Sequence, residues 1–319
     1  RPMKRVVLPV KEMGSVITTD ENCTAPIHIN NSEKKHVLKG IAYSLPMASA
    51  QVKSCVLLAG MYAEGKTCVT EPAPTRDHTE RMLQGFDYPL EINSLGDGKT
   101  QICINGGGEL NACDIHVPAD ISSAAFFMVG ASIAEGSNIT LKHVGINPTR
   151  TGIINILKLM GADISLENEK TVGGEPVADI IVHSSPLHGI EIPEDQVPLA
   201  IDEFPIIAIA AACAEGQTIL TGAEELRVKE SDRIQAMIDG LQILGIECEG
   251  TEDGMIINGG KFTGGQIDSL GDHRIAMSFV IASLRASESI TITDCANVNT
   301  SFPDFIQIAS QCGLNVNND

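Results

Sequence analysis

Four stretches of this chain are apolar almost all the way round a helix, which restricts the fold to one with helices at its centre. They run over residues 49–63, 122–134, 202–214 and 272–286. A helix with a polar face can lie on a surface, whereas one without such a face must be enclosed. A small-residue turn and a β-branched strand follow the first three, at Glu64-Gly65, Glu135-Gly136 and Glu215-Gly216; Ser289-Ile-Thr-Ile292 follows the fourth. A second unit alternates with the first: a shorter helix closes on glycine and leads into a strand. Gly14, Gly85, Gly161, Gly245 and Gly313 mark these closures, and strands are expected after them near Ser15, Tyr88, Ala162, Ile246 and Leu314. Glycine just past the last apolar residue supplies the left-handed cap. The units recur about every 70–80 residues, longer than most solenoid repeats. The expected class is therefore α/β, with sheets wrapped around buried helices.

The five glycine-ended helices outnumber the four apolar ones. The chain opens on Arg1-Pro2-Met3 with no leader pattern, and reads as one cut from a longer repeat protein. Val117-Pro-Ala-Asp-Ile121 introduces the second apolar helix and is the expected crossing between domains, placed at 1–118 and 119–319.

Composition removes several classes of function. A net charge of −19 argues against nucleic acid or an anionic membrane as the partner. The longest apolar run, 205–214, is too short to span a bilayer. The nine cysteines include no Cys-x-x-Cys pair, and Cys55, Cys213 and Cys312 fall in apolar helical runs. Reduced cysteine in a cytoplasmic protein is the expectation. No His/Cys cluster has zinc spacing, and His28, His36, His143, His183 and His188 are scattered, so no metal is expected.

Against this acidic background one stretch stands out: Glu225-Leu-Arg-Val-Lys-Glu-Ser-Asp-Arg233. Apolar residues at helical spacing follow, and Ser231 is the natural N-cap. Arg233 then sits in a first turn, where the helix dipole disfavours a cation by about 0.3–1 kcal/mol. Locally, Arg233 could pair with Asp232 or Glu230 on a solvated surface, or it could meet an incoming anion. The apolar helices also start on polar residues: Ser49-Ala-Gln51, Ser122-Ser123, Asp202-Glu203 and Asp272-His-Arg274. Converging helix N-termini make an anion site. Arg1, Arg76, Lys229, Arg233 and Arg274 would add discrete charge, suiting a small substrate with several anionic groups. Asn105-Gly-Gly-Gly108 could cradle phosphate but reads better as a turn. Arg150 either touches substrate or plays a structural role in its loop, with the second favoured, and Asp77-His78 beside Arg76 is a relay or, better, an exposed salt-bridge network.

These motifs together resemble the 5-enolpyruvylshikimate-3-phosphate synthases of the enolpyruvyl transferase family. The matching text is Arg1-Pro2, Ser49-Ala-Gln-Val-Lys53, Thr75-Arg-Asp-His-Thr79, Asp120-Ile-Ser-Ser-Ala124 and Asn147-Pro-Thr-Arg-Thr-Gly152. It continues with Ile201-Asp-Glu203, Arg227-Val-Lys-Glu-Ser-Asp-Arg233, Asp272-His-Arg274 and Thr300-Ser-Phe-Pro303. The resemblance implies a two-domain inside-out α/β barrel, with buried parallel helices in αβ repeats and an active site in the interdomain cleft. Here the first repeat would be missing, leaving two repeats in the N-terminal domain and three in the C-terminal one. The implied reaction moves the enolpyruvyl group of phosphoenolpyruvate to the 5-hydroxyl of shikimate-3-phosphate and releases phosphate, with no cofactor. Ser49, Ala50, Gln51, Arg76 and Lys229 would face the sugar-like substrate; Arg1, Gln51, Arg233 and Arg274 would face phosphoenolpyruvate. Asp202 would act as base, doubling as a helix cap, and Glu230 as proton donor. The protein would be a monomer with no nucleic-acid or membrane partner.

Two departures stand out. The family's Lys-Ser…Arg and Asn-Ala-Gly-Thr…Arg groups are absent, and Thr300 stands where some relatives carry lysine. This chain alone is therefore expected to be inactive. The other readings are a UDP-N-acetylglucosamine enolpyruvyl transferase, a non-catalytic fragment of the fold, or a sliding clamp. A clamp would need a basic inner face.

Overall fold

The computed structural model of the chain describes residues 3–30 and 37–317; Arg1, Pro2 and His36 lie outside them. The chain divides into two compact units, one taking in Arg1–His116 and Thr171–Glu175, the other Val117–Lys170 and Pro176–Asp319.

The first unit runs α1 (Lys4–Glu12), β1 (Ile17–Thr18), β2 (His28–Ile29), β3 (Ala42–Ser44), α2 (Ala50–Gly60), β4 (Lys66–Glu71), α3 (His78–Gly85), β5 (Leu90–Gly96) and β6 (Lys99–Asn105). Its main sheet has the order β3-β4-β6-β5; β3 and β4 are parallel and the other pairs antiparallel. Ser49 caps α2 as expected, its hydroxyl accepting the Val52 N–H. Val52, Val56 and Leu57 of that helix are buried with Val69, Ile102 and Ile104 of the sheet. The opposite side of α2 is less enclosed than its apolar sequence predicts, with Leu58 half exposed.

The cysteine expectation needs correction here. Antiparallel register sets Cys68 of β4 opposite Cys103 of β6, and the two sulfurs are bonded. Thirty-five residues separate them in sequence, so only the strand pairing reveals their proximity. Cys55, Cys213 and Cys312 are free.

The second unit continues with α4 (Ile121–Ile133), β7 (Asn138–Gly145), α5 (Gly152–Leu159), β8 (Asp163–Val172), β9 (Glu175–His183), α6 (Phe204–Cys213), β10 (Gln217–Leu220) and α7 (Arg233–Ile243). It ends with β11 (Cys248–Gly250), β12 (Met255–Asn258), β13 (Gly265–Asp268), α8 (His273–Ala282), β14 (Ile290–Thr293), α9 (Val298–Ser301) and α10 (Phe305–Gln311). Three sheets form, in the orders β7-β9-β8, β10-β12-β11 and β13-β14. Inside them lie α4, α6 and α8, packed on one another and buried along nearly their whole length. Their first turns meet through Ser122, Glu203 and Arg274. At the other end Arg285, just past α8, reaches the last carbonyl of α4. The three buried helices are therefore parallel, with their N-termini gathered at one end.

Several helix ends differ from the sequence reading by a residue or two. Gly14, Gly161, Gly245 and Gly313 take left-handed φ as expected, but Gly85 stays inside α3 and Asp87 makes the left-handed turn at φ 58°. Gly85 faces the Gly173 carbonyl, where a Cβ would come within 3.0 Å of the oxygen. Asp120, not Ser122, caps α4, because its carboxylate accepts from two backbone N–H groups at once. Asp232, not Ser231, caps α7, and the Ser231 hydroxyl donates to Asp272 instead. Glu203 rather than Asp202 occupies the N-cap position of α6 and makes no side-chain cap bond, so the capping role expected of Asp202 does not hold. Residues 314–317 form no strand.

The contact between α7 and α8 fixes the site described next. Alanine replacing glycine inside a helix normally stabilises by about 1 kcal/mol. At Gly240 an added Cβ would overlap the ring of Phe279, which is fully buried. Gly240→Ala should therefore lower stability by about 1–3 kcal/mol in urea unfolding. Unchanged or increased stability would mean that α7 and α8 have slack between them.

Candidate active site

The gathered helix starts of the second unit carry most of its buried charge. A 3₁₀ turn, Glu224–Val228, delivers the chain into α7. Arg227 pins this turn: Nη1 donates to Asp232 at 2.7 Å, Nε to the Glu252 carbonyl at 2.8 Å, and Nη2 to the Thr251 carbonyl. The cap and the turn are thus held by one side chain, and Lys229, Glu230 and Arg233 project from a fixed backbone.

Arg233 is 1% exposed, which removes the surface-pair reading. Its Nε donates to Asp272 Oδ2 at 2.8 Å and its Nη2 to Glu230 Oε2 at 2.8 Å. Nη1 is buried, makes no hydrogen bond among the described residues, and stands 3.6 Å from Asp202 Oδ1. Lys229 lies 3.5 Å from the same Asp202 oxygen and pairs with Glu225. Among the described residues Asp202 thus faces Lys229 and Arg233, and Glu230 faces Arg233.

Asp272 organises this group. It is fully buried, caps α8 by accepting the Arg274 N–H at 2.9 Å, and accepts from Ser231 at 3.1 Å. Burial alone would raise its pKa, but hydrogen bonding to Arg233, the Arg233 charge and the Arg274 N–H outweigh that, and its carboxyl titrates below the ordinary value. Next to it, burial and then the Arg274 charge push His273 below the ordinary histidine value, so it is neutral at pH 7.

A second buried carboxylate, Glu203, joins the other helix starts. Ser122 donates to it, Arg150 Nη2 lies at 3.4 Å and Arg274 Nη1 at 3.9 Å. Arg150 also donates to Ser122 and arrives on a loop ordered by Asn147, whose Oδ1 accepts from the Thr149 N–H and hydroxyl. Arg150 is therefore engaged within the protein, as its structural reading expects.

The second unit brings together Asp202, Lys229, Glu230, Arg233 and Arg274. The first unit places Ser49, Ala50 and Gln51 at the start of α2, and Arg76 on the segment before α3. Arg1 lies outside the described residues. The sequence reading missed the parts played by Asp272 and Glu203, which it saw only as helix starts. A usable signal was present: an acid beside a buried helix implies a buried cation, and Arg233 was the cation without an explanation.

A family model described as EPSP synthase (3-phosphoshikimate 1-carboxyvinyltransferase) matches residues 1–308. The chain belongs to the EPSP synthase family. A 3-phosphoshikimate 1-carboxyvinyltransferase of Methylococcus capsulatus is 63% identical over 316 residues, covering 99% of this chain and 70% of the relative. One from Hydrogenovibrio crunogenus is 63% identical over 318 residues, covering 99% and 71%. A solved EPSP synthase from Acinetobacter baumannii superposes with a TM-score of 0.89 at 59% identity, over 98% of this chain and 71% of that one. The enolpyruvyl transferase NikO of Streptomyces tendae shares the fold, with a TM-score of 0.74 at 15% identity over 99% of this chain and 72% of that one. The two-domain α/β fold expected of the family is thus the fold of this chain.

Asp272 gives the site a signature in acid. Unfolded aspartate titrates near 3.9. A carboxyl depressed below that value contributes stability that is complete above the unfolded pKa and is lost as pH falls through the folded one. Asp272→Asn should destabilise by about 3–5 kcal/mol at pH 7, because Arg233 keeps a buried charge without its main partner. In urea unfolding across pH, the gap between parent and variant should stay constant down to about pH 4 and narrow only below it. A gap that already narrows near neutrality would show that Asp272 is not held ionised.

Proposed function

We propose that the function of this protein is the reaction its relatives are named for: transfer of the enolpyruvyl group of phosphoenolpyruvate to the 5-hydroxyl of shikimate-3-phosphate, with release of phosphate. The observation that carries the reading is the buried Arg233 guanidinium. Two of its nitrogens are locked by Asp272 and Glu230, and the third, Nη1, is enclosed 3.6 Å from Asp202 and makes no hydrogen bond among the described residues. A buried donor left unmade is costly unless an acceptor arrives. A carboxylate or phosphate oxygen is the acceptor a guanidinium suits best.

On this reading Arg233 and Arg274 hold phosphoenolpyruvate, with Arg1 and Gln51. Ser49, Ala50, Gln51, Arg76 and Lys229 hold shikimate-3-phosphate. Asp202, beside Lys229 and Arg233, takes the proton of the 5-hydroxyl. Glu230 gives a proton to the methylene carbon of phosphoenolpyruvate, which makes the adjacent carbon electrophilic. The 5-oxygen bonds to that carbon to form a tetrahedral adduct. Loss of phosphate, which carries away the proton held by Asp202, and return of a methyl proton to Glu230 restore the double bond and both carboxyls. Two carboxyls in opposite roles require environments that separate their pKa values. Closure around two anions supplies that separation at Glu230, through desolvation and like charge. All steps are proton transfers and addition–elimination at carbon, for which no cofactor is needed.

The domain reading goes with this one, with a boundary at 118/119 and two and three repeats on either side. We also place the protein in the cytoplasm as a monomer. The net charge of −19 favours dispersed chains. Seven cysteines are free, and the Cys68–Cys103 bond joins neighbouring strands of one sheet.

The assay is phosphate release that requires both substrates, run in deuterated water. The parent enzyme should incorporate deuterium into the methylene group during turnover. Glu230→Gln keeps size and hydrogen bonding, so both substrates should still bind, while exchange and turnover fall by about 10²–10⁴-fold. Exchange at the parent rate would leave Glu230 as only a partner for Arg233.

A further inference from the structure

The most enclosed charge of the first unit has no part in the mechanism above. Lys53 is 0% exposed, yet its ammonium carries charge into the core between two carboxylates, at 3.0 Å from Glu71 Oε2 and 2.7 Å from Glu80 Oε1. Glu71 is the last residue of β4 and Glu80 the third of α3. Residues 72–77 lie between them and include Arg76. Glu71 Oε2 also accepts the Thr75 hydroxyl at 2.7 Å, immediately before Arg76. Beyond Arg76, Asp77 is held by Arg81 at 2.9 Å. A second tie joins the same helices, Ser54 Oγ to Thr79 Oγ1 at 2.7 Å.

Lys53 sits in the first turn of α2, two residues after Gln51. One ammonium therefore grips both ends of the Arg76 segment and fastens them to the turn that bears Ser49, Ala50 and Gln51. Stability is a poor reason for this arrangement, since an apolar side chain of the same length generally serves a core as well as a buried ion pair does. The site also has one carboxylate more than it has cations. Burial raises the pKa of Glu80, while Lys53 draws it down. What an ion pair adds over an apolar filler is direction: it accepts few geometries, and here those geometries fix a loop.

We propose that Lys53 is a positioning residue for shikimate-3-phosphate, acting through Glu71 and Glu80 to set Arg76 against the start of α2. The inference rests on the reading of Arg76 and the α2 turn as contacts of that substrate. A guanidinium displaced by even an ångström loses much of its effect on a phosphate. Binding of that substrate should then suffer far more than binding of phosphoenolpyruvate, which shares only Gln51 with this turn; a general weakening of the fold would affect both substrates alike.

The test is steady-state kinetics of the enzyme with Lys53→Met, Arg76→Ala and the double variant, with thermal melting in parallel. Lys53→Met should raise KM for shikimate-3-phosphate about tenfold and leave KM for phosphoenolpyruvate within about twofold. The double variant should be no worse than Arg76→Ala alone, because both remove the same contact. If Arg76→Ala raises that KM while Lys53→Met leaves it unchanged, or if the two effects multiply, Lys53 is a plain core ion pair and the inference falls by itself. If Arg76→Ala has no effect, the reading of the substrate site falls, and the inference with it. Thr75→Val covers the case in which Lys53→Met does not fold. It removes one partly buried hydroxyl from Glu71 and should raise the same KM about threefold; no change would overturn the proposal.

Discussion

The pairing of Arg233 with Asp272 is the interaction on which the second unit's charged end depends. Asp272 caps α8, Arg233 opens α7, and both are fully enclosed. Either charge alone at that depth would be strongly unfavourable, and together they are tolerable because Ser231, Glu230 and the Arg274 N–H fill most of the remaining hydrogen-bonding capacity. The dipole of α7 opposes a cation in its first turn. A buried aspartate at 2.8 Å more than offsets that in the resting protein, and a bound anion at Nη1 would complete the balance. The same pair fixes α7 against α8, so helix packing and anion binding rest on one contact.

Fold and site share a second constraint. Parallel buried helices bring like dipole ends together, which concentrates positive potential at one end of the unit. Left to themselves, those ends would repel one another and the arginines beside them. Asp202, Glu203, Glu230 and Asp272 lie among Lys229, Arg150, Arg233 and Arg274 and reduce that repulsion. A charged substrate therefore enters a mixed lattice already held in place.

The large features of this fold were legible in the sequence for a simple reason. A helix with no polar face can lie only in the centre, so the apolar runs over 122–134 and 202–214 are by themselves enough to mark buried helices. Turn chemistry was legible where glycine had an open left-handed position, as at Gly161 and Gly245. It was misread at Gly85, where glycine serves close packing and Asp87 makes the turn. Caps shifted by two residues at Asp120 and by one at Asp232 because neighbouring polar residues compete for the same N–H groups. The burial of Arg233 was hidden, since Glu230 and Asp232 offered local partners and Asp272 lies 39 residues away. Lys53 escaped notice for the same reason: its acids, Glu71 and Glu80, become neighbours only when β4 and α3 close around α2. The Cys68–Cys103 pair likewise follows from strand register alone.

The built character of the Arg233 site is tested most directly by Arg233→Lys, with binding of each substrate measured by calorimetry. Lysine keeps the charge but cannot give one nitrogen to Asp272, another to Glu230 and a third to a ligand in one plane. Phosphoenolpyruvate binding in the presence of shikimate-3-phosphate should weaken by about 100-fold or more, while shikimate-3-phosphate alone binds as before. Retention of phosphoenolpyruvate affinity by the lysine variant would contradict a site built around the third nitrogen of Arg233, and would leave that residue with a structural role alone.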